Sequence, residues 1–489
     1  MESILQTRQE QGEGHWEQKS EGQNPTTQVP MMTMEEYVGN WARKVEGKLA
    51  GAVRASAESL GHMEEALMQD TRELSRRLLE QAAQAKADTA LPRCKRCAGP
   101  LERFGGEHKH EVESRFGPIT IKRKRGWCAR CQCWSYPADA LLGLSSGHTP
   151  GVQEVAALAV SKMPVEEASA VVERLSGMKL SRSTLDREAK RQGQKAQARR
   201  AQLDEQMKGP LAWQQQAVRG APAQEAVRLV IEIDAWNIRE RDQWGESKQL
   251  RAKGKEPERW HWVYTATCFQ LSQRCETAGG RPLIVSRGYV ATRGGIDELR
   301  GQLHAEAQRH GLGRARQVLV VADGAAWIWN LAKDRFPEAR QRLDAYHAKE
   351  HLWAVANAAH GKGSETARQW IAPLLGQLDE GKPLAVINEL EELAKRLEGK
   401  AREQVRREKN YFEQHQGRMD YAQGRAQGEP VGSGAIESTC RQYQVRFKRT
   451  GQYWSKHGDE ALMSLASFWR NGRWHVLYPH VGPPDPFKN

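Results

Sequence analysis

Two runs of apolar residues in the middle of the chain each end at an aspartate. VRLVIEIDAW begins at Val227 and VLVVADG at Val318, and the runs WHWVYTATCFQL and PLIVSRGYV lie between them. Runs of this length that are rich in β-branched and aromatic residues are typical of buried strands. Helical segments, IDELRGQLHAEAQRHGL and AWIWNLAKDRF, flank the second run. Three strands in series followed by alternating helix and strand predict an α/β unit with a mixed sheet.

The helical period dominates most of the remaining chain. Residues 34–90 are rich in Ala, Leu, Glu and Arg and predict a helical arm, either a spacer or a dimerising segment. GVQEVAALAVSKM and PVEEASAVVERLSG predict two short helices, and a basic helix follows that Ser181 or Ser183 could cap. Two short helices, a turn and a capped basic helix are arranged as in a helix-turn-helix DNA-binding domain.

These patterns divide the chain into segments of different character. The N-terminal tail is polar and poor in aliphatic residues, which predicts disorder. The predicted segments are a disordered tail (1–33), the helical arm (34–90), a cysteine-rich ribbon (91–137), the helix-turn-helix-like domain (138–207), the first part of the α/β core (227–348), a helical block (349–427), the last part of the core (428–478) and a tail (479–489).

The ribbon carries two Cys-x-x-Cys pairs, CKRC and CARC. Thiolates two residues apart span one face of a tetrahedral metal, so Cys94, Cys97, Cys128 and Cys131 predict a structural Zn²⁺ site. Cys133 is an alternative ligand to Cys131, and free buried thiols are the ordinary alternative to a metal site. The segment IKRKRGW would lie on the hairpin of this ribbon, where its cations could contact DNA.

The net charge of the chain indicates the class of partner that it binds. Lys and Arg exceed Asp and Glu by 74 to 61, a formal net charge of +13, which suits a polyanion such as nucleic acid. An anionic membrane surface is the competing partner, but no apolar run approaches the roughly 18 residues that span a bilayer. The first 30 residues lack the apolar segment of a signal peptide, so we expect a cytoplasmic, nucleoid-associated protein that does not bind a membrane.

Three carboxylates lie in segments that the predicted fold could bring together. Asp234 and Asp323 end two strands, and they fall close together if the first strand lies parallel beside the fourth. Two such carboxylates must share a proton or bind cations, unless each only caps a turn or a helix. Glu437 lies one turn into a helix that follows Gly432 and Gly434. Oxygen ligands of this kind could hold two Mg²⁺ ions that act on a phosphodiester.

Four segments together resemble DDE transposases of bacterial insertion sequences, most closely the ISKra type. They are Asp234, DGAAWIWN from Asp323, LDAYHAKEHLW around Asp344 and GSGAIES around Gly434, in the order of that family. The resemblance spans about residues 91–478 and extends to Mutator-group transposases. It implies an RNase H-like core, interrupted by a helical insertion domain at residues 349–427.

The resemblance also implies roles for individual residues. Asp234, Asp323 and Glu437 take the D, D and E positions and would bind Mg²⁺ or Mn²⁺ at the catalytic site. Asp344-x-x-His347 is similar to a D-x-x-H signature, which makes His347 a further catalytic candidate. Such an enzyme would bind terminal inverted repeats and target DNA, cleave and transfer strands, and assemble as a homo-oligomer on paired DNA ends.

Two other functions remain open from the sequence: an RNase H-like nuclease that does not join strands, and a domesticated DNA-binding regulator with an idle catalytic centre. Basic residues in three segments are the expected DNA contacts, and Trp454 could stack on an unpaired base. The expected contacts are Lys122, Arg123, Lys124, Arg125, Arg187, Lys190, Arg441, Arg446, Lys448 and Arg449.

Overall fold

The computed structural model of the protein describes residues 33–54, 59–208, 227–241, 243, 245–280, 282–455 and 457–483. Most of the predicted N-terminal tail, the last six residues and the segment 209–226 therefore lie outside the described residues. The chain divides between Ala82 and Ala83 into two compact units.

The first unit is helical. It contains α1, Met34–Arg54, and most of α2, Leu60–Asp88. Trp41 Nε1 donates a 2.9 Å hydrogen bond to the Asp70 carbonyl, and Lys44 and Lys48 form ion pairs of 3.1 and 2.6 Å with the Asp70 carboxylate. The hydrogen bond from Lys48 is the largest cause of the lowered pKa of Asp70. A buried carboxylate with two lysine partners thus joins the two helices of this unit.

The second unit begins with a three-stranded antiparallel ribbon. Its strands are β1, Glu102–Ser114, β2, Gly117–Cys128, and β3, Cys133–Ser135, in the order β1-β2-β3. Val112, Ile119 and Ile121 are buried on one face of the hairpin, as the alternation of a half-buried ribbon requires. The β1–β2 pairing carries register shifts between Glu102 and His108.

Four helices follow the ribbon. They are α3, Pro137–Leu141, α4, Pro150–Lys162, α5, Val165–Ser176, and α6, Arg182–Glu205. Ser181 caps α6, because its hydroxyl accepts a 3.1 Å hydrogen bond from the amide of Thr184, so one of the two predicted caps is confirmed. α5 ends at Gly177, whose φ of 62° is the left-handed conformation in which many helices end.

A five-stranded mixed sheet lies at the centre of the second unit, which confirms the predicted mixed α/β class. Its strands are β4, Val227–Glu240, β5, Arg259–Gln270, β8, Gly288–Thr292, β9, Ala315–Ala322, and β10, Arg340–Leu343. The order is β10-β9-β4-β5-β8. β4 is antiparallel to β5 and parallel to β9, β8 is antiparallel to β5, and β10 is parallel to β9.

The run PLIVSRGYV forms two strands, and the prediction of one strand was wrong. Its first part is β7, Pro282–Ile284, which pairs with β6, Arg274–Glu276, in a separate hairpin. Only the part that begins at Gly288 joins the sheet as β8. A Cβ at Gly288 would lie 2.9 Å from Cys268 Sγ and 2.7 Å from the side chain of Glu306. The chain therefore joins the sheet at a glycine, because a side chain at this position would overlap those of Cys268 and Glu306.

The remaining helices connect the strands or follow them. They are α7, Ser247–Ala252, α8, Ile296–Arg309, α9, Ala326–Arg335, α10, Ala345–His360, α11, Glu365–Asp379, α12, Pro383–Arg396, α13, Gly399–His415, α14, Tyr421–Ala426, α15, Gly434–Phe447, α16, Gly458–Arg470, and α17, Trp474–Leu477. Among the described helices, none combines the length and the apolar character that crossing a membrane requires.

The sheet has two covered faces, because successive side chains of β4 point in opposite directions. Ile231 and Ile233 belong to a core that includes residues of α8 to α13, and thus of the helical block 349–427. Trp236 and Ile238 belong to a second core, formed with α4, α5, α6, α15 and α16. At Gly193 of α6, a Cβ would lie only 2.4 Å from the carbonyl oxygen of Ala461 in α16. The helix-turn-helix-like segment therefore packs directly on the α/β core.

Beyond the pairs with β9 and β8, β4 and β5 continue as a two-stranded ribbon, residues 236–240 and 259–263, here called the β4–β5 ribbon. Glu240 at its end forms an ion pair with Arg293, and Asp459 of α16 lies 3.7 Å from the same guanidinium. Burial and the charge of Glu240 raise the pKa of Asp459 to about 8. Arg293 thus links Glu240 at the end of the ribbon with Asp459 of α16.

Replacing Asp459 by asparagine is expected to flatten the pH dependence of stability. The folded-state pKa of Asp459 lies above its usual 3.8, so its contribution is complete below that value and is lost as pH rises through about 8. The melting temperature of the wild type should fall more steeply than that of Asp459→Asn between about pH 5 and about pH 8. Asp334→Asn, at a half-exposed site, is the matched control. Parallel curves for wild type and Asp459→Asn would contradict a raised pKa of Asp459.

Candidate functional site

Asp234 lies on β4, and Asp323 lies directly after the end of the neighbouring parallel strand β9. The pairing of β4 with β9 runs to Glu232 opposite Val321, and each aspartate follows two residues later in the chain. Side chains alternate along a strand, so Asp234 belongs to the face that α15 covers. Burial is the largest cause of the raised pKa of Asp234, and the negative charge of Asp323 raises it further.

Each aspartate also makes a local contact. Asp234 Oδ1 accepts a 2.6 Å hydrogen bond from the amide of Ala235, and its Oδ2 lies 3.7 Å from Cys440 Sγ. Asp323 Oδ1 accepts a 3.0 Å hydrogen bond from the amide of Ala325, which is the turn-capping contact expected of an aspartate before glycine. The turn itself requires Gly324, because its φ is +103°. Capping thus accounts for one oxygen of Asp323.

Glu437 approaches Asp234 from α15. Ile436 and Cys440 of this helix are buried against β4 and β5, and Glu437 lies in the first turn, with its side chain 42% exposed. Burial raises the pKa of the Cys440 thiol, and the charges of Asp234 and Glu437 raise it further. Cys440 of α15 thus contacts Asp234 and lies three residues after Glu437 on the same helix. Arg441, one turn after Glu437, places its guanidinium 3.5 Å from Glu437 Oε2.

The three carboxylates lie in one region but do not form a tight three-ligand cluster. Within the described residues, the four cysteines are the only group of three or more His, Cys, Asp or Glu ligands whose donor atoms all lie within 4.8 Å of one another. Asp234, Asp323 and Glu437 do not meet that criterion. The protein thus brings these three side chains into one region, but their oxygen atoms do not all lie within 4.8 Å of one another.

Two further carboxylates, both buried, fix the start of α15. Glu232 is 1% exposed, and its Oε2 accepts a 2.7 Å hydrogen bond from the amide of Ile436. Burial is the largest cause of a Glu232 pKa of about 8. Asp344 is fully buried, and its Oδ2 accepts hydrogen bonds from the amide and the hydroxyl of Ser433. Sequence reasoning missed Glu232, although it interrupts the apolar run VRLVIEIDAW two residues before Asp234.

A buried arginine fixes the residues just before the loop that leads to α15. Arg342 of β10 is fully buried and forms ion pairs of 2.7 Å with Asp420 and 2.8 Å with Glu429. Its Nη1 also donates a 2.9 Å hydrogen bond to the carbonyl of Pro430. The end of the helical block and the loop that leads to Glu437 are therefore both attached to an edge strand of the sheet.

His347 and the helical block lie beside the aspartates. The side chain of His347 is 40% exposed, its Nδ1 is 3.0 Å from Glu350 Oε2, and its charge lowers the pKa of Asp234. Tyr411 of α13 donates a 3.0 Å hydrogen bond to the carbonyl of Asp323, and its ring stacks on His351 with centroids 3.8 Å apart. The helical block thus contacts the turn that carries Asp323.

The four cysteines form a compact cluster at the base of the ribbon. The sulfur atoms of Cys94, Cys97, Cys128 and Cys131 all lie within 4.8 Å of one another, and Cys97 Sγ is 3.6 Å from Cys128 Sγ. Tetrahedral zinc with Zn–S bonds of about 2.3 Å places sulfurs roughly 3.8 Å apart. The four side chains could therefore hold a metal such as zinc, and Cys133 is not part of this cluster.

The basic residues of the ribbon divide between its two faces. Lys122 and Lys124 are exposed, whereas the side chain of Arg123 is only 13% exposed, pairs with Asp139 and lies 4.1 Å from the ring of Tyr136. Arg125 lies 4.5 Å from the ring of Trp134. The two lysines are thus the more accessible cations of the predicted set on this ribbon.

The basic residues on α6 differ in accessibility too. Arg187 is exposed, and Lys190, 39% exposed in its side chain, forms a 2.7 Å ion pair with Asp186. Beyond α15, Lys448 and Arg449 are exposed, and Arg449 pairs with Glu167 of α5.

Arg446 and Trp454 lie in the interior, which corrects their expected placement on a DNA-facing surface. Arg446 is 6% exposed, donates a 2.9 Å hydrogen bond to the carbonyl of Val160, and has a pKa lowered to about 10 by burial. Trp454 is also 6% exposed and donates a 2.8 Å hydrogen bond to the carbonyl of Phe447. Both side chains serve the core between α4 and α15, because helix packing turned them inward.

A family model matches part of the chain. A family model described as an uncharacterised protein family, UPF0236, matches residues 277–476, which is less than half of the chain. The matched part includes Asp323, Asp344, His347 and Glu437, while Asp234 and the cysteine cluster lie outside it. No curated protein matches the chain.

Elemental analysis of freshly purified protein is expected to find about one zinc per chain. Cys94→Ser should lose the metal and unfold the ribbon, because a unit this small has little core of its own. Cys133→Ser is the matched control and should keep its zinc, since Cys133 is outside the cluster. The assignment fails if the wild type contains no stoichiometric zinc, or if Cys133→Ser loses zinc as Cys94→Ser does.

Proposed function

We propose that the protein is a metal-dependent DDE transposase of an insertion sequence, which binds terminal inverted repeats and catalyses strand cleavage and strand transfer. One observation carries this proposal: the parallel β4–β9 pairing ends two residues before both Asp234 and Asp323, and α15, which carries Glu437, packs on the face of β4 that holds Asp234. The three positions are those that the resemblance to DDE transposases assigns to the catalytic carboxylates.

The connectivity of the sheet supports an RNase H-like core with a helical insertion. Three antiparallel strands come first in the chain, and the first of them lies parallel beside the fourth, as a meeting of the two aspartates requires. The helices between His347 and Gln427 stand in sequence between the second aspartate and the glutamate. Tyr411 of this block donates a hydrogen bond to the carbonyl of Asp323, which supports a helical insertion beside the site.

The residues fit a hard divalent cation such as Mg²⁺ or Mn²⁺. Carboxylate oxygens are the ligands such ions prefer, and the raised pKa of Asp234 reflects negative charge in a partly dry site that a cation would offset. Carboxylates that serve two cations need not touch, since such cations lie roughly 3.5 to 4 Å apart. Bound cations would supply a water of lowered pKa and neutralise charge on a phosphodiester.

The side chains around the carboxylates have separate tasks in this proposal. Asp234, Asp323 and Glu437 would hold the cations, and the amide of Ala235 and the thiol of Cys440 orient Asp234. Half-exposed His347, whose charge acts on Asp234, is in position to donate a hydrogen bond to a phosphate. Glu232 and Asp344 act through α15 and its preceding loop and are positioning residues.

DNA binding in this proposal depends on the exposed cations. The net charge of +13, Lys122 and Lys124 on the ribbon, Arg187 on α6, and Arg441 on α15 all support a polyanionic partner. The alternatives can be separated by product, because a nuclease releases cleaved ends and a transposase joins them to target DNA. A regulator would bind the same DNA without cleaving it.

Substitution of the carboxylates is expected to abolish cleavage as a unit. Asp234→Asn, Asp323→Asn and Glu437→Gln should each lower cleavage of a duplex that carries the inverted repeat by on the order of a thousandfold, and a double variant should lose little more. DNA affinity should be retained, since the carboxylates are not the cationic contacts. The assay measures cleaved and joined strands in Mg²⁺ and in Mn²⁺.

Asp297→Asn is the matched control for these variants, because the side chain of Asp297 is 90% exposed on α8, outside the site. It should cleave as the wild type does. Wild-type cleavage by Asp323→Asn would mean that Asp323 only caps its turn. Cleavage by the wild type without any joined product would favour the nuclease.

Removal of Arg187 and Lys190 is expected to weaken DNA binding and to reduce its dependence on salt. Each phosphate contact releases about one counterion, so the slope of log K against log salt should fall by about two in Arg187→Ala/Lys190→Ala. Arg368→Ala/Lys382→Ala, at exposed sites on the helical block, is the control with the same change of charge. Equal slopes for the two double variants would show that α6 does not contact DNA.

A further inference from the structure

Two tryptophans of β5 are exposed to solvent on the β4–β5 ribbon. Trp260 is 53% exposed and Trp262 is 54% exposed, whereas tryptophan is on average a highly buried residue. They are two residues apart on one strand, so both side chains point to the same face of the ribbon. The ribbon therefore presents an aromatic surface that the fold itself does not cover.

The covering of this face ends at Tyr264, two residues after Trp262. Tyr264, the next aromatic in the same row, packs edge to face against Trp327 of α9, with ring centroids 5.3 Å apart at 84°. The ribbon continues past that contact, and β9 pairs with β4 only as far as Glu232. Trp262 and Trp260 thus lie on a two-stranded extension of the sheet.

Cations stand beside the exposed rings. The guanidinium of Arg239, which pairs across the strands with Trp260, lies 4.6 Å from the Trp260 ring centroid. Lys448 Nζ lies 5.8 Å from the same ring and donates a 3.1 Å hydrogen bond to Asn237 Oδ1. Arg239 and Lys448 are both exposed, so their charges are accessible to a ligand that stacks on the rings.

We propose that Trp260 and Trp262 form a stacking platform for unpaired bases of a DNA strand, with Arg239 and Lys448 contacting its phosphates. This inference rests on the proposed function and names a surface that would hold the bound DNA as a single strand. Aromatic faces that alternate with cations are the chemistry by which proteins hold single-stranded nucleic acid, because each base has a π face and each nucleotide a charge.

The platform lies on the face of the sheet opposite to Asp234. Asn237, which pairs with Trp262, is three residues beyond Asp234, about 10 Å along an extended strand, and side chains an odd number of residues apart point to opposite faces. Lys448 follows directly after α15, the helix that carries Glu437, and lies near the Trp260 ring. A strand that stacks on the platform would therefore have to pass around the ribbon to reach the carboxylates.

The choice of a nucleic-acid partner over a protein partner follows from the charge of the surface. An interface with another protein, or with a second copy of this chain, would be favoured by an apolar core with a rim of mixed charge. Here both described partners of the Trp260 ring are cations, in a chain of net charge +13. An anionic ligand with flat aromatic groups satisfies both features.

The test compares two single strands of equal charge. One is an oligothymidylate of about 15 nucleotides, within the range of site sizes that such platforms cover, and the other is an abasic strand of the same length. The wild type should bind the oligothymidylate about tenfold more tightly or better, since each stacked base contributes affinity. Trp260→Leu/Trp262→Leu should lose this preference, while Trp260→Phe/Trp262→Phe should keep most of it.

Leucine preserves apolar area and phenylalanine preserves a stacking face, so the pair of variants separates stacking from burial. Equal binding of the two strands by the wild type would overturn the platform and leave the proposed DNA function intact. Failure of the wild type to bind either strand or the inverted-repeat duplex would overturn both. Equal strand preference in the wild type and the leucine variant, with a change in sedimentation of the latter, would assign the surface to a protein partner instead.

Discussion

Two buried carboxylates, Glu232 and Asp344, hold the loop before α15 against the sheet. Their hydrogen bonds to Ile436 and Ser433 satisfy amide groups that a helix start leaves without partners. Burial of an acid is costly, as the pKa of about 8 for Glu232 records, and donors supplied by one short loop offset that cost. These contacts fix the loop and the start of α15, and Glu437 lies in the first turn of that helix.

The fold was predictable where local pattern decides it. The strands that end at Asp234 and Asp323 follow from runs of apolar residues, and the cap at Ser181 follows from its chemistry. The division of PLIVSRGYV did not, because it depends on the close packing of Gly288 against Cys268 and Glu306. The packing of α6 on α16 at Gly193 likewise depends on contacts with residues far along the chain.

The candidate site, like the fold, was predictable from the sequence only in part. The spacing of the cysteines and the order of the three carboxylates are visible in the sequence, and the structure brings each set to one region. Arg446 and Trp454 were placed on a surface because a basic helix and an aromatic tail do not reveal which side faces inward. Glu232 was missed because one acid within an apolar run has no distinguishing spacing, and only its contact with Ile436 gives it a role.

Direct measurement of divalent-cation binding tests whether Asp234, Asp323 and Glu437 form a metal centre. The wild type, Asp234→Asn and Asp297→Asn, each loaded with zinc, can be titrated with Mn²⁺ while the electron paramagnetic resonance signal of free Mn²⁺ is measured. We expect the wild type and Asp297→Asn to bind Mn²⁺ alike and Asp234→Asn to bind it about tenfold more weakly or worse. Equal affinity in all three proteins, or no binding by the wild type with inverted-repeat DNA present, would contradict a metal centre at these carboxylates.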